Sequence, residues 1–144
     1  MKRLVYFLLG CMVLAACDIE TSKNGDFDGF WQLASIDTLG GPSGDTRERF
    51  IFWCVQGTLI ETYIAADYSP AKEIVFTFDK TGDSLFLHAP YVSDRSHGDI
   101  PVENVSQLSP YGINQLEERF KIQHLSGDDM TLESAMLRLH FRKY

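Results

Sequence analysis

The sequence predicts an all-β protein, an eight-stranded antiparallel up-and-down barrel with one long loop that carries a short helix. Three observations favour this fold. From Gly29 onward, short runs rich in Phe, Ile, Val, Thr and Trp alternate with turn residues. Long stretches with the 3.6-residue repeat of an amphipathic helix do not occur. Most of the runs are joined by short turns, which is typical of an antiparallel meander.

The size and charge of the chain limit its class. It has 144 residues, of which 44% are hydrophobic and 23% are charged. These values are typical of a single globular domain and argue against a disordered or collagen-like chain. The formal net charge is −7. Binding of nucleic acid through phosphate contacts needs a surplus of basic residues, so a nucleic-acid partner is not expected.

The N-terminal segment has the features of an export signal. Met1-Lys2-Arg3 is a short basic start, and residues 4–16 carry no charge. This run is shorter than the roughly 20 residues that cross a membrane, and it suits the apolar region of a secretory signal. The segment ends Leu14-Ala15-Ala16-Cys17, which resembles the bacterial lipobox. We predict that residues 1–16 are a lipoprotein signal peptide; the alternative is a plain signal peptide with an accidental cysteine.

If the lipobox resemblance holds, Cys17 becomes the first residue and carries acyl chains. More than one chain makes such an anchor stable, so the membrane is the expected partner and the cell envelope the expected location, on the periplasmic side or at the outer membrane. Residues 17–28 are polar and acidic and are predicted to form a tether. Cys54 is then the only free thiol, so no internal disulfide is expected.

The folded domain is predicted over residues 29–144. Its eight predicted strands are residues 29–37, 48–56, 58–65, 73–79, 84–88, 117–125, 129–133 and 136–142.

The last three predicted strands share one pattern, apolar on one face and polar on the other. With turns at Ser126-Gly127-Asp128 and Ser134-Ala135, His124 faces Met130, Ile122 and Leu137 face Leu132, and Met130 faces Leu139. The shared apolar face holds Phe120, Ile122, His124, Met130, Leu132, Leu137, Leu139 and Phe141.

A second hairpin is predicted around Asp79-Lys80-Thr81-Gly82, which has the sequence of a type I turn with a left-handed glycine. In this register Phe76, Phe78 and Phe86 share a face, and Ile74 lies opposite His88. The other side of the hairpin is also largely apolar, so its inner face stays unassigned.

A long connection follows over residues 89–116, which is too long for a passive turn. Asp99 is predicted to cap a short helix with Pro101 near its start and with Val102, Val105 and Leu108 on one side. This segment either plugs one end of the barrel or forms a lid over a pocket, and both interpretations stay open.

A family resemblance lies at the two ends of the domain. Gly29-Phe30-Trp31 opens the first predicted strand, and the last one ends Leu139-His140-Phe141-Arg142. This pattern resembles the lipocalins and other calycins, in which a Gly-x-Trp begins the first strand and its indole closes the barrel base under an arginine of the final strand. The resemblance implies that Gly29, Trp31 and Arg142 close the base. Strict alternation places Arg142 on the outer face, so this closure needs a bend at the strand end.

The resemblance covers residues 29–144 and is closest to bacterial lipocalin-like lipoproteins. The Thr-Asp-Tyr motif of the lipocalins is reduced here to Asp67-Tyr68. An eight-stranded barrel either is filled by its own side chains or holds one small ligand. The predicted inner faces would give an apolar ligand site lined by Phe50, Phe52, Phe76, Phe78, Phe86, His88, Phe120, Ile122 and His124.

Two functions therefore stay open. The first is binding of a small hydrophobic molecule on the extracytoplasmic side. The second is a structural or accessory role of a filled barrel that acts through contacts with an unidentified protein.

Catalytic chemistry is not indicated. The four histidines are spread over strand ends, the long loop and the outer face, so they are not expected to converge on a metal. Cys54 lies on an apolar strand without a nucleophile motif. Glu61 has apolar neighbours, and a general-acid role would require its burial. We predict a non-enzymatic protein without cofactor or metal.

Two short motifs resemble an O-glycosylation signal of some bacteria. They are Asp37-Thr38-Leu39 and Asp83-Ser84-Leu85. Both are also ordinary turn sequences, and that interpretation is the simpler one.

Overall fold

The strands close into an antiparallel barrel. The computed structural model describes residues 22–67 and 73–144. The strands in this part of the chain are β1 (Gly29–Thr38), β2 (Ser43–Asp45), β3 (Ile51–Gln56), β4 (Leu59–Ile64), β5 (Ile74–Thr81), β6 (Ser84–Val92), β7 (Ile100–Pro101), β8 (Glu118–Leu125), β9 (Asp129–Glu133) and β10 (Leu137–Lys143). Short 3-10 turns lie at Gly25–Phe27, Arg47–Arg49, Ala65–Asp67, Val105–Gln107 and Ser109–Tyr111.

Eight of these strands form the closed wall. The order is β1, β3, β4, β5, β6, β8, β9 and β10, and β10 returns to pair with β1. The closing ladder runs from Trp31 opposite Lys143 to Thr38 opposite Leu137. The prediction of a closed barrel is therefore confirmed. The short strands β2 and β7 were not predicted; they lie beside β1 and β6.

Most predicted strand bounds agree with the structure to within a few residues. The exception is the predicted strand 48–56, because Arg47–Arg49 is a 3-10 turn and Phe50 is left-handed, with φ 51°. The long connection also differs in detail. Pro101 belongs to β7, and the helical part consists of two 3-10 turns, the first capped by Asn104, whose side chain accepts from the Ser106 N–H.

The predicted registers are partly wrong. Ile122 does lie opposite Leu132, but Gln123 is an extra residue in β8. This bulge places Leu125, instead of His124, opposite Met130. In β10 the register is shifted by two residues, which leaves the inner and outer faces unchanged: Leu139 lies opposite Leu132.

The β5–β6 hairpin differs in a way that does exchange the faces of β6. Thr81 lies opposite Ser84, so the turn residues are Gly82 and Asp83. Compared with the predicted register this is an odd shift. Leu85 and Leu87 therefore point into the barrel in place of Phe86 and His88.

The interior of the barrel is filled by apolar side chains. Near the chain start, Phe27 is buried and its ring meets that of Phe78 edge-on at 5.3 Å. At the other end, the segment of residues 102–113, which we call the plug, inserts Val102, Leu108, Tyr111 and Ile113 into the same core. Both ends are thus covered. Among the described residues, no helix has the length and apolar character needed to span a membrane.

Candidate functional site

The middle of the barrel is occupied by Trp53. Its ring contacts Phe141 at 4.9 Å and Phe120 at 5.9 Å, both on strands across the barrel. The indole N–H donates to the Tyr111 carbonyl of the plug at 3.2 Å. One side chain of β3 therefore joins the far wall and the plug, and any ligand in this part of the interior would contact it.

The plug is held to the barrel by backbone hydrogen bonds and by close packing against β10. The Val102 N–H donates to the Pro90 carbonyl at 2.9 Å. Gly112 has φ +81°, and a Cβ added to it would lie 2.7 Å from Leu139 Cδ2. The plug therefore sits directly against β10, and glycine is required there by both conformation and space.

The opposite end, which we call the base, is closed by Trp31 and the chain start. The Trp31 indole N–H donates to the Phe27 carbonyl at 2.9 Å. Lys143 Nζ lies 4.7 Å from the centre of a Trp31 ring and donates to the Asp26 carbonyl at 3.1 Å. Gly29 gives room to this lysine, since a Cβ there would lie 2.8 Å from Lys143 Cε.

The prediction that Arg142 closes the base is wrong, because another residue does so. Arg142 lies on the outer face, as alternation along the strand requires, and its Nε donates to Gln32 Oε1 at 2.7 Å. The next residue, Lys143, provides the cation, because it is the one opposite Trp31 in the β1–β10 ladder. No bend at the strand end is needed.

Four of the predicted lining residues do face the interior. Phe76, Phe78 and Phe120 belong to the core, and Ile122 packs against it. The other five lie elsewhere. Phe50 is 43% exposed at a left-handed position. Phe52 lies on the outer face, and Phe86, His88 and His124 also point outward.

Several interior residues were not predicted from the sequence. These are Phe27, Trp53, Leu85, Leu87 and Tyr111. One signal was present for Trp53: Trp31 was assigned to the interior, and the residue opposite it must share its face. Phe27 was assigned to the tether, although the folded part of the chain includes it.

Phe86 and His88 belong to a cluster on the outer wall. Their rings stack at 5.1 Å, and the Arg119 guanidinium lies 4.1 Å from the centre of the Phe86 ring. His88 Nε2 lies 3.0 Å from Asp79 Oδ2. The histidine is thus satisfied by a carboxylate on the outer surface of the neighbouring strand.

Four aromatic side chains form the outer aromatic cluster on β1, β3, β4 and the chain end: Phe30, Phe52, Tyr63 and Tyr144. Phe30 stacks on Phe52 at 4.9 Å, and Phe52 meets Tyr63 at 5.5 Å and Tyr144 at 5.1 Å. Phe52 is buried beneath the others, whereas Tyr144 is 72% exposed. This cluster covers part of the barrel wall with apolar surface.

Glu61 lies on the outer face of β4, beside Cys54 of β3. A hydrogen bond that the protonated Glu61 carboxyl donates to Glu73, together with burial, raises the pKa of Glu61 to about 7. Burial, and then the charge of Glu61, raise the pKa of the Cys54 thiol. Glu61 is therefore a carboxyl group that holds its proton near neutral pH, on the wall and outside the barrel interior.

Metal ligation finds no support in the described residues. Within residues 22–67 and 73–144, no three His, Cys, Asp or Glu side chains are grouped to hold an ion. Cys17 and the predicted signal peptide lie outside the described residues. Thr38 and Ser84 of the two O-glycosylation-like motifs are exposed, and their modification stays a prediction.

Comparison with known proteins agrees with the barrel. The model of the lipocalin-like domain family matches residues 12–144. A lipocalin-like protein from Bacteroides uniformis has 18% identity and a TM-score of 0.64, over 83% of this chain and 100% of that chain. An uncharacterized protein from Bacteroides eggerthii has 18% identity and a TM-score of 0.62, over 82% and 99%. At this identity the likeness concerns the fold. No curated protein matches the sequence.

Proposed function

Since the chain belongs to the lipocalin-like family, we propose that it is a lipid-anchored binding protein of the bacterial cell envelope. It holds a small apolar molecule in the part of the barrel that the plug now fills, and it catalyses no reaction. Lipocalin-like proteins are in general binding proteins, and an eight-stranded barrel is wide enough for one small ligand.

The main support for this proposal is that the barrel is closed by the plug, a segment outside the strand ladder. Leu108 lies between its two 3-10 turns and Tyr111 ends the second; both residues are buried, and both lie outside the strand ladder. Moving such a segment breaks few backbone hydrogen bonds, whereas opening the wall would break a strand ladder. A ligand of similar apolar surface would replace the contacts that Leu108 and Tyr111 make with the core.

The described start of the chain supports the arrangement of the anchor. Asn24 Nδ2 donates to the Gly57 carbonyl in the β3–β4 turn, at 2.8 Å, and Phe27 lies under the base. An acyl chain on Cys17 would therefore hold the base towards the membrane. The plug, at the opposite end, would face away from the lipid and stay accessible to a ligand.

The test uses the full mature chain with dodecanoate and dodecanol as probes. The expected result is a saturable change in Trp53 emission and one bound molecule per chain in native mass spectrometry. The Trp31→Phe variant identifies the signal as that of Trp53. Absence of saturable binding by both probes up to their solubility limits would overturn the proposal.

A variant of the plug tests whether opening of the plug limits ligand binding. Gly112→Ala strains the plug against Leu139 and raises the open population, so its apparent affinity for dodecanoate should increase. Gly127→Ala, where an added Cβ meets nothing within 4 Å, is the matched control. Equal affinities of the two variants would show that the plug does not limit binding.

A second function is favoured by the outer aromatic cluster. A half-buried aromatic cluster with one exposed member, Tyr144, is a surface that a protein partner could cover. In this case the protein is a structural or accessory lipoprotein of the envelope. Cross-linking in intact cells should then give one defined partner, lost in Tyr144→Ser and retained in Lys121→Ser, an exposed position on β8.

A further inference from the structure

A groove of about 690 Å³ runs along one edge of β8, on the side that faces β9, and we call it the β8 groove. Its lining comprises Phe86, Gln115, Glu117, Glu118, Arg119, Phe120, Lys121, Glu133, Ser134 and Ala135. Consecutive residues of a strand point to opposite faces. Since residues 117–121 all line the groove, it follows the edge of the strand.

The groove exists because β9 is short. On one side, Leu87 to Ser84 of β6 pair with Glu118 to Lys121. On the other side, the pairing of β8 with β9 begins only at Lys121 opposite Glu133. After Glu133 the chain turns back, so residues 118–120 have a strand neighbour on the β6 side alone.

The missing neighbour leaves backbone groups directed into the groove. The Ile122 N–H donates to the Asp83 carbonyl on the β6 side, at 2.7 Å. Backbone groups alternate in direction along an antiparallel strand. The N–H and C=O of Arg119 therefore point the other way, into the groove, where they offer one donor and one acceptor.

Besides Ser134, the buried members of the lining are Glu118 and Phe120, which form the floor of the groove and are 4% and 2% exposed. Both face the barrel interior, opposite Leu87 and Leu85. Glu118 Oε2 accepts from the Asn114 backbone N–H at 2.9 Å. The Asn114 side-chain Nδ2 is buried, and among the described residues it has no hydrogen-bond partner. Glu118 thus accepts one hydrogen bond, and its carboxylate has the capacity to accept more, whereas the unpartnered Asn114 group is itself a donor.

The other charged groups around the groove lie at its rim. The Arg119 guanidinium covers the Phe86 ring, and Glu133 accepts from Arg138 at 2.7 Å. Glu117 and Lys121 are exposed and opposite in sign. Charges at the rim are screened by water, whereas a carboxyl group on a buried floor interacts strongly with a donor that reaches it. The floor therefore selects for a positive charge or a strong N–H donor.

We propose that the β8 groove binds a small organic amine. Its ammonium group donates to Glu118 and to the Arg119 carbonyl, and its apolar part lies along the groove against Phe120. The site is separate from the volume under the plug and does not depend on the function proposed above. It requires no movement of the plug.

The test uses hexylamine as the probe, with hexanol and hexanoate as neutral and anionic molecules of the same length. An alkylamine is protonated at neutral pH, as lysine is. In titrations followed by heat and by backbone amide shifts, hexylamine should bind about tenfold more tightly than hexanol, because a charge-assisted hydrogen bond is stronger than a neutral one. The shifts should map to residues 115–121 and 133–135. Equal binding of hexylamine and hexanol would overturn the proposal.

Two variants locate the site. Glu118→Gln should weaken hexylamine binding about tenfold or more, whereas Glu48→Gln, at an exposed position outside the groove lining, should leave it unchanged. Equal effects of the two substitutions would show that hexylamine is attracted by negative charge in general and not bound at Glu118, which would overturn the proposal. If Glu118→Gln does not fold, Ala135→Trp fills the groove from the exposed loop and should abolish binding; retained binding in that variant contradicts the proposal. Dodecanoate binding reported by Trp53 should persist in Ala135→Trp, because Ala135 is exposed and lies outside both the plug and the core, so the two proposals can fail separately.

Discussion

The ammonium group of Lys143 lies 4.7 Å from the centre of a Trp31 ring, on the residue directly opposite Trp31 in the closing ladder. The last residue of β10 thus seals the base against the third residue of β1. The Lys143 stem also fills the space that Gly29 leaves, and its ammonium bonds the Asp26 carbonyl. Lys143 thus closes the base against the Trp31 indole, a role that the family resemblance assigned to Arg142. The pairing of β1 with β10 decides which of the two residues faces Trp31.

The charge of Lys143 should contribute to stability. Lys143→Met keeps the apolar stem and removes the cation–π contact and the hydrogen bond, so the free energy of unfolding should fall by about 1 kcal/mol. Urea unfolding measures this change. Lys121→Met, at an exposed position on β8, is the control and should shift the midpoint little. Equal midpoints for wild type and Lys143→Met would refute the role of the charge.

Gly112 should be intolerant of any side chain. Gly112→Ala places a Cβ 2.7 Å from Leu139 Cδ2 at a φ of +81°, and the combined strain should lower stability by about 1–3 kcal/mol. Thermal unfolding and hydrogen exchange of residues 102–113 are the measurements. Gly127→Ala should be close to neutral. Adding Leu139→Ala to Gly112→Ala should cost less than the sum of the two single changes, because it removes the clash; strict additivity would contradict the contact.

The Glu61 carboxyl should make stability fall as pH rises. Its pKa is raised from 4.5 to about 7, with the Glu73 hydrogen bond as the largest cause and burial next. Between these values the folded chain binds the proton more tightly than the unfolded chain does. The stabilisation is therefore complete below pH 4.5 and is lost as pH rises through 7.

Glu61→Gln cannot lose this proton and should remove the decline. At pH 8 the variant should be more stable than wild type by about 1 kcal/mol, after allowance for partial solvent access. Melting temperatures of both proteins at pH 5 and pH 8 test this. The pKa of Asp37 is lowered, chiefly by a hydrogen bond from His140. Its contribution to stability is therefore lost at lower pH, as pH falls, and does not mask the effect of Glu61 between pH 5 and pH 8. If the melting temperatures of wild type and variant change equally between pH 5 and pH 8, Glu61 does not cause the pH dependence.

Lipidation at Cys17 gives a cell-level prediction. Cys17→Ser should release the protein from the membrane fraction and leave the signal unprocessed by the lipoprotein pathway, since no acyl chain can be attached. Cell fractionation and metabolic labelling with a fatty acid are the measurements. Cys11→Ser is the matched control, because that cysteine lies inside the predicted signal peptide. Fatty-acid labelling of Cys17→Ser at the wild-type level would rule out the assignment.

The sequence by itself determined the fold class and the closure of the barrel. Strands such as Asp129–Glu133 alternate cleanly between apolar and polar residues, and turn residues bound them. For these strands the period of two fixes the inner face. Phe120, Met130 and Leu132 were therefore placed inside correctly, and the first and last strands were correctly paired.

Only the tertiary structure decided which side chains of β3 and β6 face inward. Ile51, Phe52, Trp53, Cys54 and Val55 are all apolar, so no alternation marks the inner face of β3. In β6 the face depends on whether the turn begins at Lys80 or at Gly82, and a shift by an odd number of residues exchanges the two faces. The bulge at Gln123 has the same effect on His124. A bulge or a turn position is set by long-range pairing and packing, which local sequence does not contain.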